Sequence, residues 1–402
     1  MGDRHRGLVR IDLQRSAVHL ERSFEALEIE LADAAHLETG RRRELDLDPV
    51  AVVVELQRNR VAVDVLDAVA FDIQLAVSAG RHLVEREHEP STVAIQLGQR
   101  RIETAAAAAV VDHPTHERLQ DRGLVTPRLI RTVSGHLWLE MADGIWRLMT
   151  YIPGISVDRV DSAERAYEAG RLLGRFHMGL SDLDYRFLGA RGGIHETPRH
   201  LRNLELALDR HRDHAAYHRV RPVAEEILSA ASKLTPLPAL AERVVHGDPK
   251  ISNFIFDAAS GEGLCLVDLD TLNRMALPLE LGDALRSWCN PAGEDSDTTD
   301  FSLGFFRAAL TGYASEAGRW ISPAEAASLV DATMTIMIEL AARFCADALN
   351  ESYFAWDPVR FPSRSEHNRV RAEGQLRAWE ACRKMETQLS EVSREVFGLT
   401  PR

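Results

Sequence analysis

Apolar and polar positions alternate in short runs in the middle of the chain and then settle into helical spacing. Leu129 to Thr132, His136 to Met141 and Ile145 to Tyr151 alternate around Ser134-Gly135 and Asp143-Gly144, which predicts a short antiparallel meander. Ahead of it, His116 to Leu124 reads as a helix closed by Gly123. Ala163 to Ser181 sets Ala166, Ala169, Leu172, Leu173, Phe176 and Leu180 at helical spacing, and His200 to Leu228 adds helix with a charged outer face. Arg243-Val244-Val245, Phe254-Ile255-Phe256 and Leu264-Cys265-Leu266-Val267 are brief apolar runs between turn residues, as buried strands require. Ser322-Pro323-Ala324-Glu325 starts a helix that continues through Met334, Ile338 and Phe344, and a last helix is expected from about Asn368 to Phe397.

The first hundred or so residues read differently. Residues 1–110 hold no Trp, Tyr, Cys or Lys and only two Phe, at 24 and 71. Val52-Val53-Val54 and Val61-Ala62-Val63-Asp64-Val65 suit strands, yet few turn residues separate them, so helix and strand patterns compete. Ordinary globular sequence begins near Asp112-His113-Pro114. The expected organisation is therefore an N-terminal region over 1–111, the end of a first lobe and a hinge over 112–151, and a second, mostly helical lobe over 152–402.

A net charge of -13 opposes a general nucleic-acid or anionic-membrane partner, because such surfaces attract phosphate with basic residues. Cys265, Cys289, Cys345 and Cys382 are scattered, with neither a disulfide framework nor metal-site spacing, which favours a reducing cytoplasm. No apolar run has the length of a spanning helix, and the start, Met1 to Arg6, leads into no secretory core. The acidic stretch Gly293 to Asp300 is expected to be an exposed loop rather than a cation site.

Chemistry concentrates in His246-Gly247-Asp248-Pro249-Lys250-Ile251-Ser252-Asn253 and in Asp268, which follows an apolar strand. This is the spacing of a phosphoryl-transfer loop and its metal-binding Asp. Asp248 suits the base that takes the proton of an attacking hydroxyl, Asn253 and Asp268 suit Mg²⁺, and Lys250 suits the transferring phosphate. His246 braces the loop or, as the alternative, serves as base. Asp270 is either a second metal ligand, if the strand persists, or a turn cap. Asp283 is expected to cap a helix, Arg286 and Trp288 to be core and surface residues or a substrate wall, and Glu339 and Arg343, four apart, to pair.

Together, His246 to Asn253, Val267 to Thr271 and Gly282-Asp283-Ala284-Leu285-Arg286 resemble the aminoglycoside phosphotransferase and choline kinase superfamily. Trp146 to Gly154, the form of Asp268-Leu269-Asp270-Thr271 and the tail from Asn368 to Leu376 are most similar to its N-acetylhexosamine 1-kinase-like branch, although Gly247 and Pro249 stand where that branch tends to carry Asn and Thr. The resemblance covers about residues 112 to 390. It implies an α+β, protein-kinase-like bilobal fold, ATP and Mg²⁺ as cofactors, and a small-molecule hydroxyl acceptor, a sugar or amino sugar, with choline-, homoserine- or aminoglycoside-type kinases as alternatives. It also makes Met149 to Tyr151 the interlobe hinge whose backbone binds adenine. Upstream, residues 1–110 lack a Gly-rich loop, and the first lysine is Lys233, leaving Arg100 or Arg101 as the basic residue and Val93 to Leu97 as its strand. Two accounts of this region stay open: a diverged first lobe, or residues that are not the family's lobe at all, including a misassigned start resembling translation in the wrong frame or strand. The competing class is a non-catalytic nucleotide-binding or pseudokinase-like protein that lacks a competent ATP-binding lobe.

Overall fold

The computed structural model describes residues 52–56, 93–97 and 115–399, apart from 131–134, 137–138, 142–143, 147, 186, 188–193 and 297–299. The strand expected at Val61 to Val65 and the arginines Arg100 and Arg101 lie outside them. The chain divides into two compact units, residues 1–113 with 127–152, and 114–126 with 153–402. The helix at residues 115–121 therefore goes with the later unit, where Leu119 and Leu124 pack against the glycine edge of the next helix at Gly179.

In the first unit, β1 (Val52–Leu56) pairs in parallel with β2 (Val93–Leu97). After α1 (Thr115–Asp121) of the second unit come β3 (Leu129–Ile130), β4 (Leu139–Met141), β5 (Gly144–Trp146) and β6 (Leu148–Thr150). Strand β6 is central, antiparallel to β2 on one edge and to β3 on the other. The expected meander is thus two pairings: β3 joins β6 directly, and β4 with β5 forms a separate hairpin. Short runs set alternation but not which edge each strand meets.

The second unit is helical, so the α+β class expected from the sequence is what the described residues form. Helix α2 (Ala163–Leu180) is capped by Ser162, whose hydroxyl accepts the Arg165 N–H, and it buries the apolar face legible in its spacing. Helices α3 (Thr197–Arg210) and α4 (Tyr217–Ala231) divide the expected 200–228 segment at the turn His211 to Ala216. Strand β7 (Glu242–Val245) precedes the hairpin β8 (Phe254–Phe256) and β9 (Gly263–Leu266), and β10 (Asn273–Ala276) returns antiparallel to β7.

Helix α5 (Leu277–Trp288) follows β10 at once, with Pro278 in its first turn. Beyond it lie α6 (Leu303–Ala317), α7 (Pro323–Ala327), α8 (Leu329–Asn350), α9 (Arg364–Lys384) and α10 (Glu386–Phe397). The Ser322 start is a reciprocal capping box with Glu325. The single last helix expected from Asn368 is two, broken at Met385. Helices α2 and α6 cross so closely that a Cβ on Gly170 would stand 2.0 Å from the Ala309 carbonyl oxygen. That contact seats the end of α2, with Phe176 and His177, beneath the loop at 246–253.

Candidate active site

The loop leaves β7 at His246, a fully buried side chain. The imidazole Nε2 lies 2.8 Å from the Val267 carbonyl, so Nε2 carries the proton, and Nδ1 faces the Asp248 N–H at 3.4 Å. Its ring packs on Phe176 with centroids 5.7 Å apart. With both nitrogens facing backbone, His246 ties the loop to the strand end that carries Asp268. Gly247 has φ +83°, and a Cβ there would stand 2.2 Å from the Thr271 carbonyl oxygen. Only glycine permits this left-handed turn against that neighbour.

Asp248 is partly exposed, and its Oδ2 takes the Lys250 ammonium at 2.5 Å. Burial works against the charge of Lys250, but Asp248, with Asp268 and Glu294 behind it, outweighs burial and raises its pKa. The Asn253 amide nitrogen donates to the Asp248 carbonyl at 2.8 Å and reaches its Oδ2 at 3.3 Å, which leaves Asn253 Oδ1 without a partner among the described residues.

Asn253 and Asp268 are brought together by the β8–β9 hairpin. Phe254 is in register with Leu266, and the Val267 N–H donates to the Asn253 carbonyl at 2.9 Å. Asp268 comes next, at φ 61°, a left-handed conformation that costs a non-glycine residue energy and is characteristic of functional positions. Its carboxylate accepts no hydrogen bond from the described residues, while its carbonyl accepts from Thr271 Oγ1 at 3.0 Å. An amide oxygen and a carboxylate are both hard-oxygen donors of the kind that suits Mg²⁺. The strand does not persist to Asp270, which sits in the 3₁₀ turn Leu269–Thr271.

Helix α5 backs the loop. Glu280, fully buried, receives the His246 N–H on Oε1 and the Gly247 N–H on Oε2, both at 2.9 Å. Trp288 donates its indole N–H to the Pro249 carbonyl at 3.0 Å, and Ser287 Oγ faces the Ile251 N–H at 3.4 Å. Glu280 is not among the residues expected from the sequence. Its signal was a lone carboxylate in the apolar run from Met275 to Leu281. Asp283 is not a cap: it lies inside α5, whose N-cap is Ala276, and pairs with Arg286 at 2.8 Å. Arg286 also holds Glu294 at 2.9 Å, and Asp295 holds Arg371 at 2.6 Å, so the acidic segment is tied down by ion pairs.

Glu339 and Arg343 do not pair. Glu339 Oε1 lies 2.9 Å from His195 Nδ1, and Thr197 Oγ1 donates to Oε2 at 2.7 Å. The Arg343 guanidinium instead lies over the rings of Tyr353 and Phe354, 5.9 and 5.5 Å from their centroids. In the first unit, Met149 is a ladder residue of β6, in register with Leu129 and Ala94, and Tyr151 follows the strand end with its side chain exposed.

The model of the phosphotransferase enzyme family matches residues 86–319, more than half of the chain. The chain belongs to that family. The match begins upstream of residue 112 and takes in β2 as well as the loop, Asp268 and α5; Glu339 and Arg343 lie beyond its end. A homoserine kinase from Xanthobacter autotrophicus is 30% identical over 217 residues, 53% of this chain and 61% of that protein, so the chain spans about three fifths of its length. Among solved structures, an aminoglycoside phosphotransferase from Alicyclobacillus acidocaldarius is similar at 18% identity, covering 75% of this chain and 88% of that one, with a TM-score of 0.48. A microcompartment-associated aminopropanol kinase is similar at 13% identity, covering 78% and 98%, with a TM-score of 0.46.

In this family member the four cysteines are buried and unpaired, and burial pushes the Cys265 thiol up to about 12. No helix among the described residues is long and apolar enough to cross a membrane.

Proposed function

We propose that the chain is a small-molecule kinase that moves the γ-phosphoryl group of ATP to an acceptor hydroxyl. The observation that carries this reading is the joining of Asp248 to Asn253 by two hydrogen bonds, and of Asn253 to Val267, the residue before Asp268, by a third. In the proposed step the Asp248 carboxylate takes the hydroxyl proton as that oxygen bonds to the γ-phosphorus. The bond from phosphorus to the bridging oxygen breaks, and ADP leaves with the electron pair. Mg²⁺ held by Asn253 Oδ1 and Asp268 would neutralise charge on the phosphate oxygens.

Lys250, drawn to Asp248, is placed to steady the transferring group, and His246 positions the loop through Val267 rather than meeting substrate. The backbone of Met149 and Tyr151 is assigned to the adenine. The motifs at residues 146–154 and 268–271 favour a sugar or amino sugar as acceptor, and the homoserine kinase relative favours an amino-acid alcohol. A reducing cytoplasm suits the unpaired buried thiols.

A pseudokinase reading has its own support, because the chain has no lysine before Lys233 to grip the phosphates of ATP. Thermal shift with ATP and Mg²⁺, followed by ADP release over sugars, amino alcohols, aminoglycosides and homoserine, separates the two. Asp248→Asn is expected to cut turnover by about 10²–10⁴-fold. Turnover that survives it removes Asp248 as the base, and absence of any ATP-dependent shift favours the pseudokinase.

A further inference from the structure

We propose that His177 is a positioning residue for phosphoryl transfer: held by Tyr313 of α6, it backs the Glu280 carboxylate that carries the Asp248 loop. The inference rests on the kinase reading and deepens it.

His177 stands in the last turn of α2 with its side chain wholly buried. Its Nδ1 lies 3.1 Å from the Tyr313 hydroxyl, and its Nε2 lies 3.6 Å from Glu280 Oε1 and has no hydrogen-bond partner of its own. That same Oε1 takes the His246 N–H at 2.9 Å, and Oε2 takes the Gly247 N–H at 2.9 Å. One buried carboxylate thus stands between the imidazole and the two backbone donors that lead into Asp248. Among the described residues no other His, Lys or Arg side chain comes within ion-pair distance of Glu280. Arg243, on the strand that enters the loop, is held instead by Glu325 at 2.6 Å.

The protons follow from these contacts. Both Glu280 oxygens accept an N–H at hydrogen-bond length, as an ionised carboxylate does. A phenol titrates near about 10, so Tyr313 keeps its O–H around neutral pH. Among the described residues His177 Nδ1 is the one hydrogen-bond partner of that hydroxyl. The O–H therefore donates to Nδ1, and the ring proton sits on Nε2, the nitrogen that faces Glu280. The other tautomer would set a nitrogen lone pair beside a carboxylate oxygen and strand the O–H, while an imidazolium would carry a proton on Nε2 as well.

At 3.6 Å the contact is longer than a hydrogen bond, so its worth lies in the charge the N–H faces within a water-free interior. The imidazole itself has little freedom. The rings of Phe176, Tyr313 and Trp320 lie 5.9, 5.8 and 5.9 Å from its own. Tyr313 is fixed in turn by the crossing of α2 and α6, where a Cβ on the adjacent Gly312 would stand 2.0 Å from the Tyr167 carbonyl oxygen. Two helices therefore fix the side-chain donor that Glu280 faces. A buried polar group that serves stability alone can often be replaced by an apolar one at little cost, whereas one that steadies Glu280 cannot be replaced without loss of turnover.

The test uses the full chain, with ADP release measured over L-homoserine, ethanolamine and N-acetylglucosamine. Three variants divide the contacts of His177. His177→Leu removes both, His177→Gln keeps a donor toward Glu280, and His177→Asn keeps only an acceptor toward Tyr313. In His177→Leu, kcat per folded molecule is expected to fall about tenfold or more while KM for ATP and acceptor stays within about twofold, as a misaimed reacting group requires. His177→Gln should recover most of that loss and His177→Asn little of it, and His177→Leu should add nothing further in a Glu280→Gln background. Unchanged kcat in His177→Leu, an equal loss in His177→Gln, or losses that multiply with Glu280→Gln overturn the inference and leave the kinase reading intact. If His177→Leu does not fold, His177→Gln against His177→Asn decides: the donor-keeping variant must be the faster, and equal or reversed rates overturn the inference. If the unaltered chain phosphorylates none of the three acceptors, the kinase reading fails, and hydrogen exchange at the His246 and Gly247 amides decides the inference alone. Exchange that quickens in His177→Leu but not in His177→Gln supports it, and exchange unchanged in both overturns it.

Discussion

Glu280 and Gly247 are joined by a 2.9 Å hydrogen bond from the Gly247 N–H to one carboxylate oxygen, while the other oxygen takes the N–H of His246. One buried side chain thus satisfies consecutive backbone donors at the point where the chain turns toward Asp248. In Glu280→Gln one of those donors would meet an amide NH₂ instead of an oxygen. Since hydrogen bonds to a charged acceptor are worth about 1.5–3 kcal/mol each, a loss of about 2 kcal/mol is expected in urea unfolding. Turnover should fall more than stability accounts for, because the same bonds aim Asp248. A variant with full turnover would show that α5 does not position the loop.

Gly247 offers a sharper separation of fold from chemistry. Gly247→Ala puts a Cβ at φ +83°, where its ideal position lies 2.2 Å from the Thr271 carbonyl oxygen. The left-handed conformation alone costs roughly 1–2 kcal/mol, which the large second unit can bear, but the overlap with backbone must be relieved by moving the loop. A displacement of about 1 Å at a reacting group can cost on the order of 10²-fold. The expected variant folds cooperatively and loses about that factor in kcat, checked by circular dichroism melting beside ADP release.

What the sequence made legible was local. The spacing from His246 to Asn253, the hairpin strands around Asp257, the apolar face of α2 and the Ser322 cap all follow from periods of two or 3.6 residues and from capping chemistry. What it could not specify was partner choice over long separations. Glu339 stands four residues from Arg343, as an intrahelical pair would, yet it serves His195 from a segment 144 positions away. Spacing shows that two side chains can meet and is silent about a third that competes. The pairing of β3 with β6 and the task of Glu280 were hidden for the same reason.

Trp288 shows how a residue outside the motif can govern it. Its indole N–H donates to the Pro249 carbonyl at 3.0 Å, and its ring stands edge-on to Phe254, 5.3 Å away at 86°. Trp288→Phe keeps the aromatic contact and strands the carbonyl, so a loss of about 1–3 kcal/mol is expected. Trp288→His, which can still donate from its ring, should recover part of the effect on turnover. Equal turnover in the two variants would show that packing, not the hydrogen bond, is what matters there.

The His195–Glu339 contact sets a pH dependence whose sign can be worked out. Burial lowers the His195 pKa, but Glu339 and Asp283 overcome it, so the folded value lies above the ordinary 6.5. A group with a raised folded pKa binds its proton more tightly in the folded state. Its contribution is therefore complete below 6.5 and fades as pH rises through the folded value. His195→Gln cannot take up that proton. The stability difference between the unaltered chain and His195→Gln should be largest in mildly acidic solution and shrink toward alkaline pH, measured by urea unfolding at a series of pH values. A difference that grows with pH would mean that the imidazole is held neutral beside Glu339.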